Sequence, residues 1–211
     1  MRIGISSART LLACVAISVM SLSTSGCVTA YVDGGLRDAS AVHVRKPARP
    51  ADTQLLFTFQ TKGTTNARAT DMLKADVTET ISTSGLFAVV GPDPSLSGAI
   101  LNVTINNVPI TSQEDAFSKG FATGLTFGLV GSAVTDGYVC TIDYLPPGGR
   151  PKVTKTARHA IHATMGAKGA PANGVKAKNI EEAVRTMTRQ ILLEGLKQLS
   201  NDPEFDSPPS T

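Results

Sequence analysis

Leu101, Val103 and Ile105 alternate with Asn102, Thr104 and Asn106, the two-residue period of a strand with one packed and one wet face. A Phe-rich run, Gln54–Gln60, reads as an earlier strand. The pattern then changes period. Leu73, Val77 and Ile81 recur every four residues, Thr65 or Asn66 stands where a helix start needs a cap, and Gly85 stands where a left-handed stop belongs. Leu86–Val90, closed by Gly91-Pro92, predicts the return strand, so the body opens as a strand-helix-strand unit. Tyr138–Leu145 and Lys152–Met165 flank Pro146-Pro-Gly-Gly149 and predict a hairpin. From Lys178 to Leu199 the apolar positions Ile180, Val184, Met187, Ile191 and Leu199 form one stripe, with Glu181, Glu182, Arg185 and Arg189 elsewhere, which predicts a closing helix. These elements add up to an α+β fold: a mostly antiparallel sheet with two helices on one face.

The N-terminal pattern is different in kind. Arg2 and Arg9 precede an uncharged apolar stretch, Thr10–Leu22, of signal-peptide length and too short to span a bilayer comfortably. It ends in Leu22-Ser-Thr-Ser-Gly-Cys27, which resembles a bacterial lipobox, although Thr24 stands where the resemblance implies Leu. That resemblance implies a lipoprotein whose new N-terminus, Cys27, carries acyl chains. Val28 after the cysteine, rather than Asp, implies the outer membrane. The competing reading is cleavage at Val28-Thr-Ala30, which would release a soluble periplasmic protein.

The expected organisation is a signal peptide over 1–26, a lipidated N-terminus and flexible tether over 27–52, a periplasmic α+β domain over 53–200 and a disordered tail over 201–211. The tether rests on Gly34-Gly35, Pro47, Pro50 and the basic Arg37, Arg45, Lys46 and Arg49, and the tail on its prolines.

One segment asks for a reason. Between Asp115 and Asp136 the only charge is Lys119; Gly120, Gly124 and Gly128 recur every four residues, as do Phe117, Phe121, Leu125 and Leu129, with Phe127 between them. A helix would set a glycine stripe beside an apolar stripe, the geometry that lets backbones approach closely; a strand would put Phe121, Leu125, Phe127 and Leu129 on one face. The alternatives are an apolar connection packed on its own domain, a flap meeting a membrane or partner, and self-association. Phe117, Gly120, Phe121, Gly124, Leu125, Phe127, Gly128 and Leu129 are therefore the candidate membrane or partner contacts.

Composition narrows the function classes. The 211 residues hold one ordinary domain, 41% of them apolar, and the formal charge is +3 with 18% charged residues. Removing Arg2 and Arg9 leaves the chain nearly balanced, and with no Trp and 5% aromatics neither phosphate attraction nor base stacking is well served, so no nucleic-acid partner is expected. No phosphate loop, zinc helix, Cys-x-x-Cys pair or Gly-x-Ser-x-Gly elbow occurs. His159 and His162, three residues apart on the expected strand, point to opposite faces, and Cys140 reads as a buried small hydrophobe; no cofactor, metal or catalytic residue is expected.

The run Phe121–Val130 followed by Thr135-Asp-Gly-Tyr138 resembles a motif of small proteobacterial lipoproteins that have no assigned activity. By element order the body is also similar to the TolB N-terminal domain and the curli secretion lipoprotein, which implies envelope assembly or scaffolding. The expectation is a non-enzymatic outer-membrane lipoprotein, membrane-attached through acyl chains on Cys27, whose periplasmic domain binds envelope or protein partners. The alternatives are a self-associating subunit of an envelope pore or secretion assembly, and a soluble periplasmic protein or enzyme.

Overall fold

A computed structural model describes residues 28–36, 44–121, 134–165, 170–171 and 173–206, without the side chains of Gln113, Phe117 and Val134. The signal peptide, Cys27 and the contact candidates Gly124, Leu125, Phe127, Gly128 and Leu129 lie outside the described residues.

The elements are β1 (Val28–Val32), β2 (Thr53–Thr61), β3 (Thr64–Thr65), α1 (Ala67–Thr83), β4 (Val90–Gly91), β5 (Ala99–Ile110), α2 (Gln113–Ser118), β6 (Val134–Leu145), β7 (Val153–Met165), β8 (Val175–Lys176) and α3 (Ile180–Ser200). The strands form one sheet in the order β3-β2-β5-β6-β7-β1-β8, with β4 beside β2. The β2 pairings with β5 and β4 are parallel and all others antiparallel. This is the expected α+β architecture, with α1 and α3 on one face.

The helix boundaries follow local chemistry. Asn66 caps α1 by accepting from the Ala69 amide at 3.1 Å, and Gly85 takes φ +72° just past the helix end. Leu73, Val77 and Ile81 are buried as their spacing predicts. Asn179 caps α3 by accepting from the Glu182 amide at 2.8 Å. The buried stripe of α3 is centred on Met187, Ile191, Leu192, Leu196 and Leu199, whereas Ile180, its expected first member, is 54% exposed. Gly195 lets α3 close on the sheet: a Cβ there would come within 2.7 Å of Ile142 Cδ1.

The two faces of the sheet differ. Leu55 and Phe59 of β2, Leu101, Val103 and Ile105 of β5, Cys140 and Ile142 of β6, and Ala157 and Ile161 of β7 form the core under the helices. The other face carries Thr58, Thr104, Thr141 and Thr156 in register across four strands, a row that stays partly solvated. Toward the end where β5 finishes and β6 begins, the same face has a small apolar cluster of its own: Ile110, Ala116 and Phe121, with Val108 and Val139 against it.

Three expectations change. Of the predicted strand Leu86–Val90 only Val90–Gly91 pairs; Leu86 and Phe87 are buried on irregular backbone, and the long return strand of the opening unit is β5. The stretch 27–52, read as a free tether, contains β1, paired with β7 from Val28↔Met165 to Val32↔Ile161. Its later part is pinned too, by the Arg45 amide and Nε donating to Ser200 Oγ at 3.2 Å and Ser200 O at 3.1 Å. The start of the expected disordered tail packs: Phe205 is buried with its ring 5.2 Å from Tyr144 and 6.1 Å from Phe87, because one aromatic among prolines finds an open corner of the core.

Overpacking the α3–sheet contact should be felt. Gly195→Val should lower stability by about 1–3 kcal/mol in chemical denaturation. Adding Ile142→Val should recover part of that loss; an unchanged midpoint for Gly195→Val would contradict the close approach.

Candidate functional site

Register places several chain segments at one end of the sheet. Ile110 of β5 faces Thr135 of β6, Val134 of β6 faces Ala163 of β7, and Met165 of β7 faces Val28 of β1. Val28 is covalently next to Cys27. Phe121 and Val134, which bound the undescribed part of the Gly/Phe segment, therefore belong to the same end of the sheet as the lipidation candidate.

The entry into that segment is built tightly. The Ser112 hydroxyl accepts from the Asp115 amide at 3.0 Å, and the Asp115 carboxylate accepts from the Thr111 amide at 2.9 Å, a reciprocal lock on α2. Lys119 Nζ joins Asp115 and the Pro109 carbonyl, each at 2.8 Å. The Lys119 hydrogen bond is the foremost cause holding the Asp115 carboxyl below its ordinary range, followed by the Thr111 amide. Gly120 takes φ +75° beside the Arg158 guanidinium, whose Nε donates to Lys119 O at 3.3 Å. The Phe121 amide then donates to Ala116 O at 2.9 Å.

Phe121 itself is buried in its own domain, so this candidate membrane or partner contact is a core residue. Its ring occupies space vacated by a missing side chain: a Cβ on Gly137 would come within 2.6 Å of Phe121 Cζ and 2.8 Å of Ile110 Cδ1. Gly120 serves the turn and the Arg158 contact. Phe117 lies on α2.

Beside this cluster, on the same face, His162 meets Thr135 and Asp33, a grouping that the sequence did not bring together. His162 Nδ1 is 3.0 Å from Thr135 Oγ1, and its Nε2 is 3.4 Å from Asp33 Oδ2. Asp33 also accepts from the Gly35 amide at 2.7 Å, and its own amide donates to Ala160 O at 3.0 Å. The order carboxylate, imidazole, hydroxyl is that of a nucleophile triad. Asp33 and His162 are 0% exposed and Thr135 is 1% exposed, so a substrate carbonyl cannot reach the hydroxyl in this conformation. What the cluster does is join β1, β6 and β7 through buried, partnered polar groups. The signal that exposes β1 is Val28-Thr-Ala-Tyr-Val32, a β-branched and aromatic run ended by Asp33-Gly-Gly35.

His159 projects to the opposite face, where its Nε2 lies 2.6 Å from Gln190 Oε1 of α3. Burial is the main force pushing its pKa down, opposed by the Gln190 hydrogen bond and the Asp33 charge. Burial likewise pushes the Cys140 thiol up to about 12, so it sits in the core as a neutral thiol. Among the described residues no group of three or more His, Cys, Asp or Glu is placed to hold a metal ion. A groove of about 520 Å³ between α1 and α3 is lined in part by Asp76, Glu79, Arg185 and Arg189; Arg185 pairs across it with Asp76 of α1 and along α3 with Glu181 at 3.0 Å. Among the described residues no helix is long and apolar enough to cross a membrane.

No family model matches the chain, and no curated protein matches it. Among solved structures, two PelC dodecamers from Paraburkholderia phytofirmans are similar at 12% and 11% identity. The likeness covers 82% of this chain and 97% and 96% of those chains, with TM-scores of 0.37 and 0.36. Similarity at that level carries neither an oligomeric state nor a partner over to this chain.

The buried His159 gives a pH test. Its pKa in the folded protein lies below the ordinary 6.5, so on acidification the unfolded chain takes up a proton first. The stability tied to the neutral ring is complete above about pH 6.5 and is lost as pH falls through the folded pKa. Urea denaturation between pH 7 and pH 5 should show a shallower loss for His159→Gln than for the natural chain; identical slopes would contradict this.

Proposed function

We propose that this protein is a non-enzymatic outer-membrane lipoprotein, acylated at Cys27, whose periplasmic domain binds envelope or protein partners through the segment 117–134, with the buried Phe121 seating that segment in the domain. The observation that supports it most directly is the shared location: the residue following Cys27 and both borders of the Gly/Phe segment belong to one end of the sheet. An apolar segment with a single charge is unfavourable to leave in water, and next to a lipid anchor it has a nearby apolar phase or an equally anchored partner to meet. Acyl chains on Cys27 would contribute about 0.8 kcal/mol per buried methylene, so a multiply acylated chain stays on its membrane. The burial of the polar groups supports the non-enzymatic reading: Cys140 and His159 are buried, His159 beside Gln190 of α3, and His162 is enclosed by Asp33 and Thr135.

The burial of Phe121 sets how the reading is tested. Replacing 122–133 with a Gly/Ser linker of equal length, which spares Phe121 and Val134, should leave the thermal midpoint nearly unchanged. It should also abolish crosslinking to envelope partners, while intact mass shows acyl chains on Cys27 and Cys27→Ser moves the protein to the soluble fraction. An unchanged crosslinking profile would contradict the partner role of the segment, and an unmodified Cys27 would contradict the anchor. A ring-sized oligomer in detergent would favour the pore or secretion subunit instead.

A further inference from the structure

The stretch expected to hold the domain away from its membrane contains a strand that begins at Val28. A free chain from Cys27 to Asp52 would reach roughly 80 Å at about 3.3 Å per residue. Instead, one peptide unit separates Cys27 from the sheet, and adjacent Cα atoms are about 3.8 Å apart. Acyl chains on Cys27 would therefore enter the bilayer beside Val28.

Apolar side chains are exposed at that point, among charged ones. Val28 is 59% exposed and its cross-strand partner Met165 is 61% exposed. Their direct opposition puts both side chains on the α3 side of the sheet. Beyond β8, the Ala177 amide donates to Ala30 O at 3.0 Å, so the chain runs on past Thr29 and Val28 to the Asn179 cap. Ile180, the first residue of α3, is 54% exposed at this end. Lys176 and Lys178, both exposed, stand along the same margin, where basic side chains meet lipid phosphates, and Lys178 also lies 3.5 Å from Glu182. Apolar side chains are also exposed at the far end of the sheet, among them Val89 and Leu96. Exposure alone therefore does not select an end; the covalent neighbour does.

Resting on the reading that Cys27 is acylated, we propose that the Val28–Met165–Ile180 rim of the domain seats directly on the bilayer, with its strands running away from the membrane and no stand-off. A contact held by a covalent neighbour needs little affinity of its own, because the anchor supplies a high effective concentration of membrane. The far end, with Leu96, then lies roughly 35 Å from the surface, given about 3.3 Å per residue along β5.

The chain contains no Trp, so a single introduced Trp reports its own depth. Met165→Trp, Ile180→Trp and Leu96→Trp are exposed positions that leave the core intact. Each mature, full-length variant is reconstituted in phosphatidylethanolamine/phosphatidylglycerol vesicles containing a lipid with a nitroxide near its carbonyl. Met165→Trp and Ile180→Trp should be quenched several-fold more than Leu96→Trp, with blue-shifted emission. Equal, weak quenching of all three in protein that floats with the vesicles would overturn the seating while leaving the anchor in place. Protein that carries no acyl chains and does not float would overturn both.

Discussion

The proposed seating of this domain depends on one pairing: Val28–Val32 hydrogen-bonded to Ile161–Met165, with only the two-residue strand β8 outside it in the sheet. It converts the residues after Cys27 from spacer into structure. It is reinforced at the far end of β1, where the Asp33 carboxylate lies within reach of His162, and His162 in turn of Thr135. Buried polar groups of this kind specify a register because a slip would leave them without partners, at about 1–3 kcal/mol for each unsatisfied group. The strand is therefore positioned by side chains on two other strands as well as by its backbone ladder.

The same end of the sheet explains two motifs that look unrelated in sequence. Phe121 turns back under the sheet because Gly137 leaves room for its ring, and Gly120 turns the chain toward it beside Arg158. Thr135-Asp-Gly-Tyr138 then reads as four neighbouring tasks: Thr135 reaches His162, Gly137 receives Phe121, and Tyr138 enters the helix-side core beside Phe59, where burial first and the Asp136 charge second raise its pKa. A methyl group at Gly137 would remove the seat of Phe121, so the run starting at Phe121 and the turn into β6 depend on each other.

Period carried most of the fold. The alternation through Leu101–Ile105, the four-residue spacing of Leu73, Val77 and Ile81, and the Pro-Gly turn at 146–149 are local signals, and each survives in the structure with small boundary changes. What escaped was short or non-local. β1 is five residues long and sits beside glycines, so its β-branched run was outweighed by the linker-like composition around it. Phe205 escaped because its partners, Phe87 and Tyr144, are distant in sequence. At the candidate site, the apolar spacing marked Phe121 correctly as apolar but could not say which surface it covers. The Asp33–His162–Thr135 group joins three strands that no spacing rule connects.

The most direct test of this account is hydrogen exchange over Val28–Asp33 in the mature protein. If β1 is an integral strand, these amides, with Asp33 donating to Ala160, exchange slowly and in step with those of β7. Exchange at the rate of an unstructured chain while β7 stays protected would show that the residues after Cys27 are a tether after all.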